Sequence, residues 1–252
     1  MYILDITAAS RVGCVRENNE DMLLIDSLLL RNDSTAMKHD LSSSDRFILA
    51  LADGMGGHQS GEVASSDVLH NLRFFYGDIP AGLKIADFNE VIYEWLKSMN
   101  NNLEAKGRVD EHCKGMGTTL VALAFYEDNF YWMNCGDSRL YRLRDGKLTQ
   151  LTTDHSLNNL MGTDSKDYSN VITNCIGGGC TTSFIDIVEC NDDIAVGDTL
   201  MLCSDGLTDM IADGEIERLL NNGSDALNLC KAAEEYGGYD NVSVILATVR
   251  EK

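Results

Sequence analysis

Apolar residues fall along this chain in short blocks separated by polar or glycine-bearing breaks, and the blocks are of two kinds. Alternating or short continuous runs predict strands at 2–9, 21–30, 46–52, 118–126, 129–135, 139–144, 183–190, 198–203 and 242–249. Spacings of three and four predict helices at 61–75, 85–105 and 213–236, the last broken near Asn222-Gly223. In the second helix Ile85, Phe88, Val91, Ile92, Trp95, Leu96, Met99 and Leu103 define an apolar stripe. Glu127-Asp128-Asn129 and Asp145-Gly146 each separate two apolar runs and read as hairpin turns. From Arg31 to Arg46, Asp, Ser and Thr dominate, and the segment reads as a loop.

The order of these elements constrains the architecture. Strands come first, then two helices in succession, then hairpin-linked strands, then helices and a closing strand. Such an order lacks the βαβ alternation of a parallel doubly wound sheet. An α+β architecture fits better, with two antiparallel sheets packed together and helices covering the outside. The one proline, Pro80, leaves no Pro-rich linker, and no internal repeat is visible. The 252 residues read economically as one domain, 1–252.

Composition adds one unusual number: 40 acidic against 20 basic residues, a net charge of −20. Solubility is the ordinary account of this, and a gathering of carboxylates around divalent cations is the sharper one. Nucleic-acid binding is disfavoured, because no Lys/Arg cluster faces a phosphate backbone. The eight cysteines show no CxxC pair, and Cys14, Cys135 and Cys203 sit in apolar runs that read as strands. The N-terminus lacks the segments of a signal peptide, and no run approaches the roughly 18 apolar residues of a membrane span. The cysteines are therefore expected to be reduced, mostly buried thiols of a cytoplasmic, monomeric protein without a zinc site.

Candidate chemistry lies where the strand-like runs end. The segments are Arg16-Glu17-Asn18-Asn19-Glu20-Asp21; Asp53-Gly54-Met55-Gly56-Gly57-His58 with Gly61-Glu62-Val63-Ala64-Ser65; Met116-Gly117-Thr118-Thr119; Gly136-Asp137-Ser138-Arg139; Ser204-Asp205-Gly206-Leu207 with Asp209; and Asp240-Asn241. Singly, each has an ordinary explanation. Asp-Gly is a common turn, Arg16 and Glu20 could form a surface ion pair, and Asp205 and Asp209 could occupy a first helical turn. Together they supply what hard cations need, namely short carboxylates on rigid strand ends and a glycine that lets a carbonyl approach. Two such ions sharing a carboxylate can activate water, and a nearby arginine can grip a phosphate.

In that order and spacing the segments resemble the type 2C metal-dependent serine/threonine protein phosphatases, the PPM family, especially its bacterial members. The match runs from Arg16 to Asn241. The resemblance implies a four-layer αββα sandwich with the metal centre at one edge of the two sheets. It implies that Asp53 bridges two Mn²⁺ or Mg²⁺ ions, with Asp205 and Asp240 on the first and Glu20 and the Gly54 carbonyl on the second. Asp137, with Asp205 and Asp209, resembles the third, weaker metal site of bacterial members. Arg16 matches the phosphate-binding arginine, and a water between the two metals would attack phosphorus in line. His58 is a candidate proton donor to the leaving alkoxide, metal-bound water being the alternative. The implied partners are phosphorylated proteins, the products of a serine/threonine kinase.

Two departures from the pattern stand out. Only about 20 residues separate the landmarks of the family's flap, so the flap at about 157–176 is expected to be short. Ser10-Arg11 stands where an acid is common. Two other readings stay open: a phosphatase of a small phosphorylated metabolite, and a non-catalytic domain of the same fold.

Overall fold

The computed structural model describes residues 2–43, 45–56, 60–162, 171–180 and 182–252. In chain order the strands are β1 Tyr2–Arg11, β2 Met22–Ile25, β3 Leu28–Leu30, β4 Ser34–Asp40, β5 Arg46–Ala52, β6 Gly54–Met55, β7 Gly117–Thr118, β8 Leu120–Tyr126, β9 Asn129–Cys135, β10 Arg139–Arg144, β11 Lys147–Gln150, β12 Ile176–Gly177, β13 Asp186–Glu189, β14 Thr199–Cys203 and β15 Val242–Glu251. The helices are α1 Ser60–Asp78, α2 Ile85–Val109, α3 Leu157–Met161, α4 Asp205–Thr208, α5 Asp213–Asn221 and α6 Ala226–Glu235. One sheet runs β11-β10-β14-β15-β1-β4 and the other β13-β9-β8-β5-β2-β3, while β12-β7-β6 form a small third sheet. Every pairing is antiparallel.

Three apolar clusters explain the layering. Along β5, Ile48, Ala50 and Ala52 face α1 and α2, whereas Phe47, Leu49 and Leu51 face the opposite sheet. Along β15, Val242, Val244 and Leu246 face α4–α6, whereas Ile245, Ala247 and Val249 face the space between the sheets. Successive residues of a strand point to opposite sides, so a strand covered on both sides must be apolar throughout. That is why these runs are continuous rather than alternating. The result is the expected four-layer αββα sandwich of two antiparallel sheets.

Most expected elements are present, with corrections at particular places. Residues 34–40 form β4 rather than a loop, pairing with β1 from Ile3↔Asp40 to Ala9↔Ser34. As an edge strand it gains ladder hydrogen bonds while its side chains stay largely in water, so no apolar pattern marks it. The run 21–30 is two strands, because Asp26 takes a positive φ of 55° and turns the chain. Cys14 is exposed and lies beyond β1. Ile85, expected in the α2 stripe, is exposed. The hairpin at Glu127-Asp128 has both residues at positive φ, 46° and 69°, and Asp145-Gly146 has 51° and 78°. Within the flap segment α3 and β12 are short elements, and residues 163–170 lie outside the described residues.

Candidate metal centre

The strand ends at one edge of the sandwich bring the acidic segments together. Asp53 follows β5, Asp137 follows β9, Asp205 opens α4 directly after β14, and Asp240 precedes β15. Glu20 stands just before β2. Like charges at this edge raise one another's pKa. Burial, then the negative charges of Asp21, Asp205, Asp137 and Asp240, push the Asp53 carboxyl well above its ordinary range. Burial, then Asp137, Asp209 and Asp240, do the same to Asp205. Burial, then Asp154 and Asp209, push Asp137 up to about 6. Burial also raises Glu20, against the pull of Arg16.

Close backbone approaches hold these groups in place. A Cβ on Gly54 would overlap the Gly61 carbonyl oxygen at the start of α1, and would lie 2.6 Å from the Glu20 carbonyl oxygen. Only glycine lets β6, α1 and the Glu20 loop meet this tightly. At Gly13, with φ of 78°, a Cβ would overlap the Asp240 carbonyl and lie 2.8 Å from that of Gly238. Asn241, 5 % exposed, ties the same surfaces together. Its Nδ2 donates to the carbonyls of Val12 at 2.9 Å and Asn18 at 2.8 Å, and its Oδ1 accepts from the Glu20 N–H at 2.8 Å. Asp53 is fixed by Thr119, whose N–H donates to the Asp53 carbonyl at 2.9 Å and whose hydroxyl accepts from the Asp53 N–H at 3.1 Å.

Arg16 reaches into this edge. Its Nη2 donates to Asp240 Oδ2 at 2.6 Å, and its side chain remains 53 % exposed. The sequence raised Glu20 as its partner, whereas the ion pair is with Asp240, 224 residues away. Beside it lies a cleft of about 530 Å³ whose rim includes Arg16, Glu20, Gly56, His112 and Asn241. A larger groove of about 640 Å³ lies elsewhere, where Asp5 pairs with both Lys38 and Arg250.

The donors fit a hard divalent cation. They are carboxylate oxygens crowded together, they include no thiolate or imidazole, and Asp137 Oδ1 is buried without a hydrogen-bond partner. Among the described residues, no three acidic, histidine or cysteine side chains already converge on one point at ligand distance. Asp240 is engaged by Arg16, and Asp209 is exposed one turn beyond Asp205, its N–H donating to the Asp205 carbonyl at 2.8 Å. His58 lies outside the described residues.

Several residues here carried no assignment from the sequence. Asp21 is fully buried, accepts from Ser204 Oγ at 2.9 Å, and is pushed up to about 6 by burial. Ser204 Oγ in turn accepts from the Ser243 N–H at 3.1 Å, and the Ser243 hydroxyl bonds Ser10 Oγ at 2.9 Å. Ser10 therefore fills the position where an acid was expected with a neutral link to the same network. Asp21 and Asn241 stood inside recognised segments and were findable there; a serine inside an apolar strand gives no such signal.

Comparison with known proteins points the same way. The family model described as protein phosphatase 2C matches residues 25–236. The serine/threonine protein phosphatase PstP of Mycobacterium tuberculosis is 32% identical over 255 residues, covering 98% of this chain, which spans 45% of that protein's length. Protein phosphatase PhpP of Streptococcus pneumoniae is 31% identical over 268 residues, covering 99% of each. A crystal structure of the PstP catalytic domain with two manganese ions matches with a TM-score of 0.75 at 32% identity, covering all of both chains.

Proposed function

We propose that this chain, which belongs to the protein phosphatase 2C family, is a divalent-metal-dependent enzyme that hydrolyses phosphoserine and phosphothreonine in proteins. The observation that carries the reading is the crowding of Asp53, Asp137, Asp205 and Asp240 at one edge, with each of the first three raised in pKa by burial and then by the negative charges beside it. Asp53 would be shared between two ions, with Asp205 and Asp240 available to hold one and Glu20 and the Gly54 carbonyl to hold the other. Asp137, Asp205 and Asp209 would hold a third ion more weakly. The two manganese ions of the PstP catalytic-domain structure support a two-metal cofactor, and Mg²⁺ suits the same kind of oxygen donor.

When bound, two such ions supply an acidified water and neutralise phosphate charge. The chain's own residues do the rest. Arg16 presents parallel N–H donors to phosphate oxygens, and its tether to Asp240 keeps the guanidinium at the carboxylates before substrate arrives. Asn241 and Gly13 set the height of the Arg16 loop against the Asp240 loop. Thr119 fixes the backbone of Asp53, so the carboxylate does not have to reorganise as charge develops. His58 remains a candidate proton donor.

Substrates on this reading are the products of a serine/threonine kinase, as the names of the relatives support. The chain acts as a cytoplasmic monomer, a placement supported by the five buried free thiols among its eight cysteines. No helix among the described residues is long and apolar enough to cross a membrane. Phosphate release from a phosphothreonine peptide tests the function, run with Mn²⁺, with EDTA, and with D205N beside the parent. Release that requires Mn²⁺ and disappears in D205N is expected. A folded parent that binds Mn²⁺ yet leaves the peptide intact overturns the protein-phosphatase reading.

A further inference from the structure

Hydrolysis of a serine or threonine phosphate leaves an alkoxide that must be protonated as the bond breaks, and aspartates needed as anionic ligands are poor donors for that step. Imidazole suits the task. The described residues offer four histidines, and three are committed elsewhere. His39 stacks on Phe47 with ring centroids 4.1 Å apart. His70 bonds the Ser66 carbonyl within α1 at 2.8 Å. His155 is buried between Asp186 Oδ2 at 3.0 Å and Asn174 Nδ2 at 2.8 Å. His112 alone stands on the rim of the cleft, with Arg16, Glu20 and Gly56, and its exposed ring has no hydrogen-bond or ion-pair partner among the described residues.

The backbone beneath His112 is braced. It lies in a single 3₁₀ turn, Glu111–Cys113, capped by Asp110, whose Oδ1 accepts from the His112 N–H at 2.9 Å. The turn presses on the last turn of α2, where a Cβ on Gly107 would lie 3.0 Å from the Cys113 carbonyl oxygen. The Met116 N–H bonds that same carbonyl at 3.2 Å, and the chain then enters β7, which pairs with Gly54–Met55. His112 is therefore anchored through one short path to the strand that carries the Gly54 carbonyl, while its ring remains free to meet a substrate.

Resting on the phosphatase reading above, we propose that His112 is a catalytic residue that protonates the departing seryl or threonyl oxygen. The water oxygen forms the new bond to phosphorus as the bond from phosphorus to Oγ breaks, and Oγ keeps the electron pair. The imidazolium N–H proton passes to Oγ, giving the free hydroxyl. The proton shed by the attacking water goes to solvent, and the neutral imidazole takes one back.

H112Q tests this against the parent, with H58Q beside it and Mn²⁺ present throughout. The substrates are a phosphothreonine peptide and a series of aryl phosphates of falling leaving-group pKa, ending at p-nitrophenyl phosphate. H112Q should lose about 100-fold with the peptide, the low end for general acid catalysis, and progressively less along the series, because a good leaving group needs no proton. Mn²⁺ should also broaden the imidazole ring-proton resonance assigned to His112. An equal loss on every substrate, no loss on any, a leaving-group-dependent loss confined to H58Q, or a His112 resonance untouched by bound Mn²⁺ would each overturn the proposal. A parent that hydrolyses none of the substrates refutes the phosphatase reading itself, a result distinct from all of these.

Discussion

Asn241 is the residue whose removal separates the geometry of this site from its charges. In N241A three hydrogen bonds vanish, two from Nδ2 to the Val12 and Asn18 carbonyls and one from the Glu20 N–H to Oδ1. Asn18 is exposed and can turn its carbonyl to water, so that loss costs little. Val12 and Glu20 are half-buried, and each leaves a backbone group without its partner. At about 1–1.5 kcal/mol for each such group, the variant should lose roughly 2–3 kcal/mol. Urea unfolding of the metal-free protein at neutral pH measures it, as a lower midpoint at unchanged slope. Activity should fall as well, chiefly through a raised KM, because the loop that carries Arg16 is no longer pinned against Asp240. N241A as stable as the parent to within about 0.5 kcal/mol would refute the reasoning, since surface changes that break nothing fall in that range.

The remaining predictions concern the charges and the close approaches. The raised Asp53 and Asp205, with Asp21 and Asp137 at about 6, hold protons in the folded state that an unfolded chain releases near pH 4. Metal-free stability should therefore be greatest below about pH 4 as far as these groups decide it, and should fall as pH rises through 6. Melting curves from pH 4 to 8 in EDTA check this, and Mn²⁺ at pH 7 should restore part of the loss in the parent but less in D205N. R16A should lower kcat/KM on a phosphopeptide by roughly 10- to 100-fold, the worth of a charged hydrogen bond, measured by steady-state kinetics. R16K should recover only part of this, because one ammonium cannot replace two parallel donors. G54A should destabilise by about 3 kcal/mol or more by chemical unfolding, because its methyl group would fall on the Gly61 carbonyl.

What the sequence revealed and what it hid divide along a physical line. β5 and β15 were legible because burial on both faces demands apolar residues at every position. β4 was hidden, because an edge strand such as Ser34–Asp40 is held by backbone bonds to β1 that any side chain permits. The gathering of carboxylates at the sheet edge was legible from the company they keep, Asp53 beside Gly54 and Asp205 beside Gly206, a pattern that turns alone do not repeat in this order. The partnership of Arg16 with Asp240 was hidden, since a contact across 224 residues has no local signature. His112 was hidden for a different reason. Its place depends on the end of α2 and on a single 3₁₀ turn, neither of which a pattern of apolar spacing locates.

The carboxylate cluster and the serine network behind it also explain each other. Ionised Asp21, Asp53 and Asp205 so close together would push the edge of the two sheets apart, and no lysine is paired with any of them among the described residues. Neutral hydroxyls from Ser204, Ser243 and Ser10 lie behind Asp21, and hydrogen bonds from two of them lower its pKa without adding charge. An acid at Ser10 would add another negative charge to this group, whereas the serine satisfies Asn19 Nδ2 at 2.9 Å and leaves the balance alone. S10D should therefore raise the pKa of Asp21 further and steepen the fall in metal-free stability between pH 4 and 7, seen as a lower melting temperature at pH 7 and little change at pH 4. A variant whose stability falls equally at both pH values would mean that Ser10 acts through packing, and the electrostatic account of this position would be wrong.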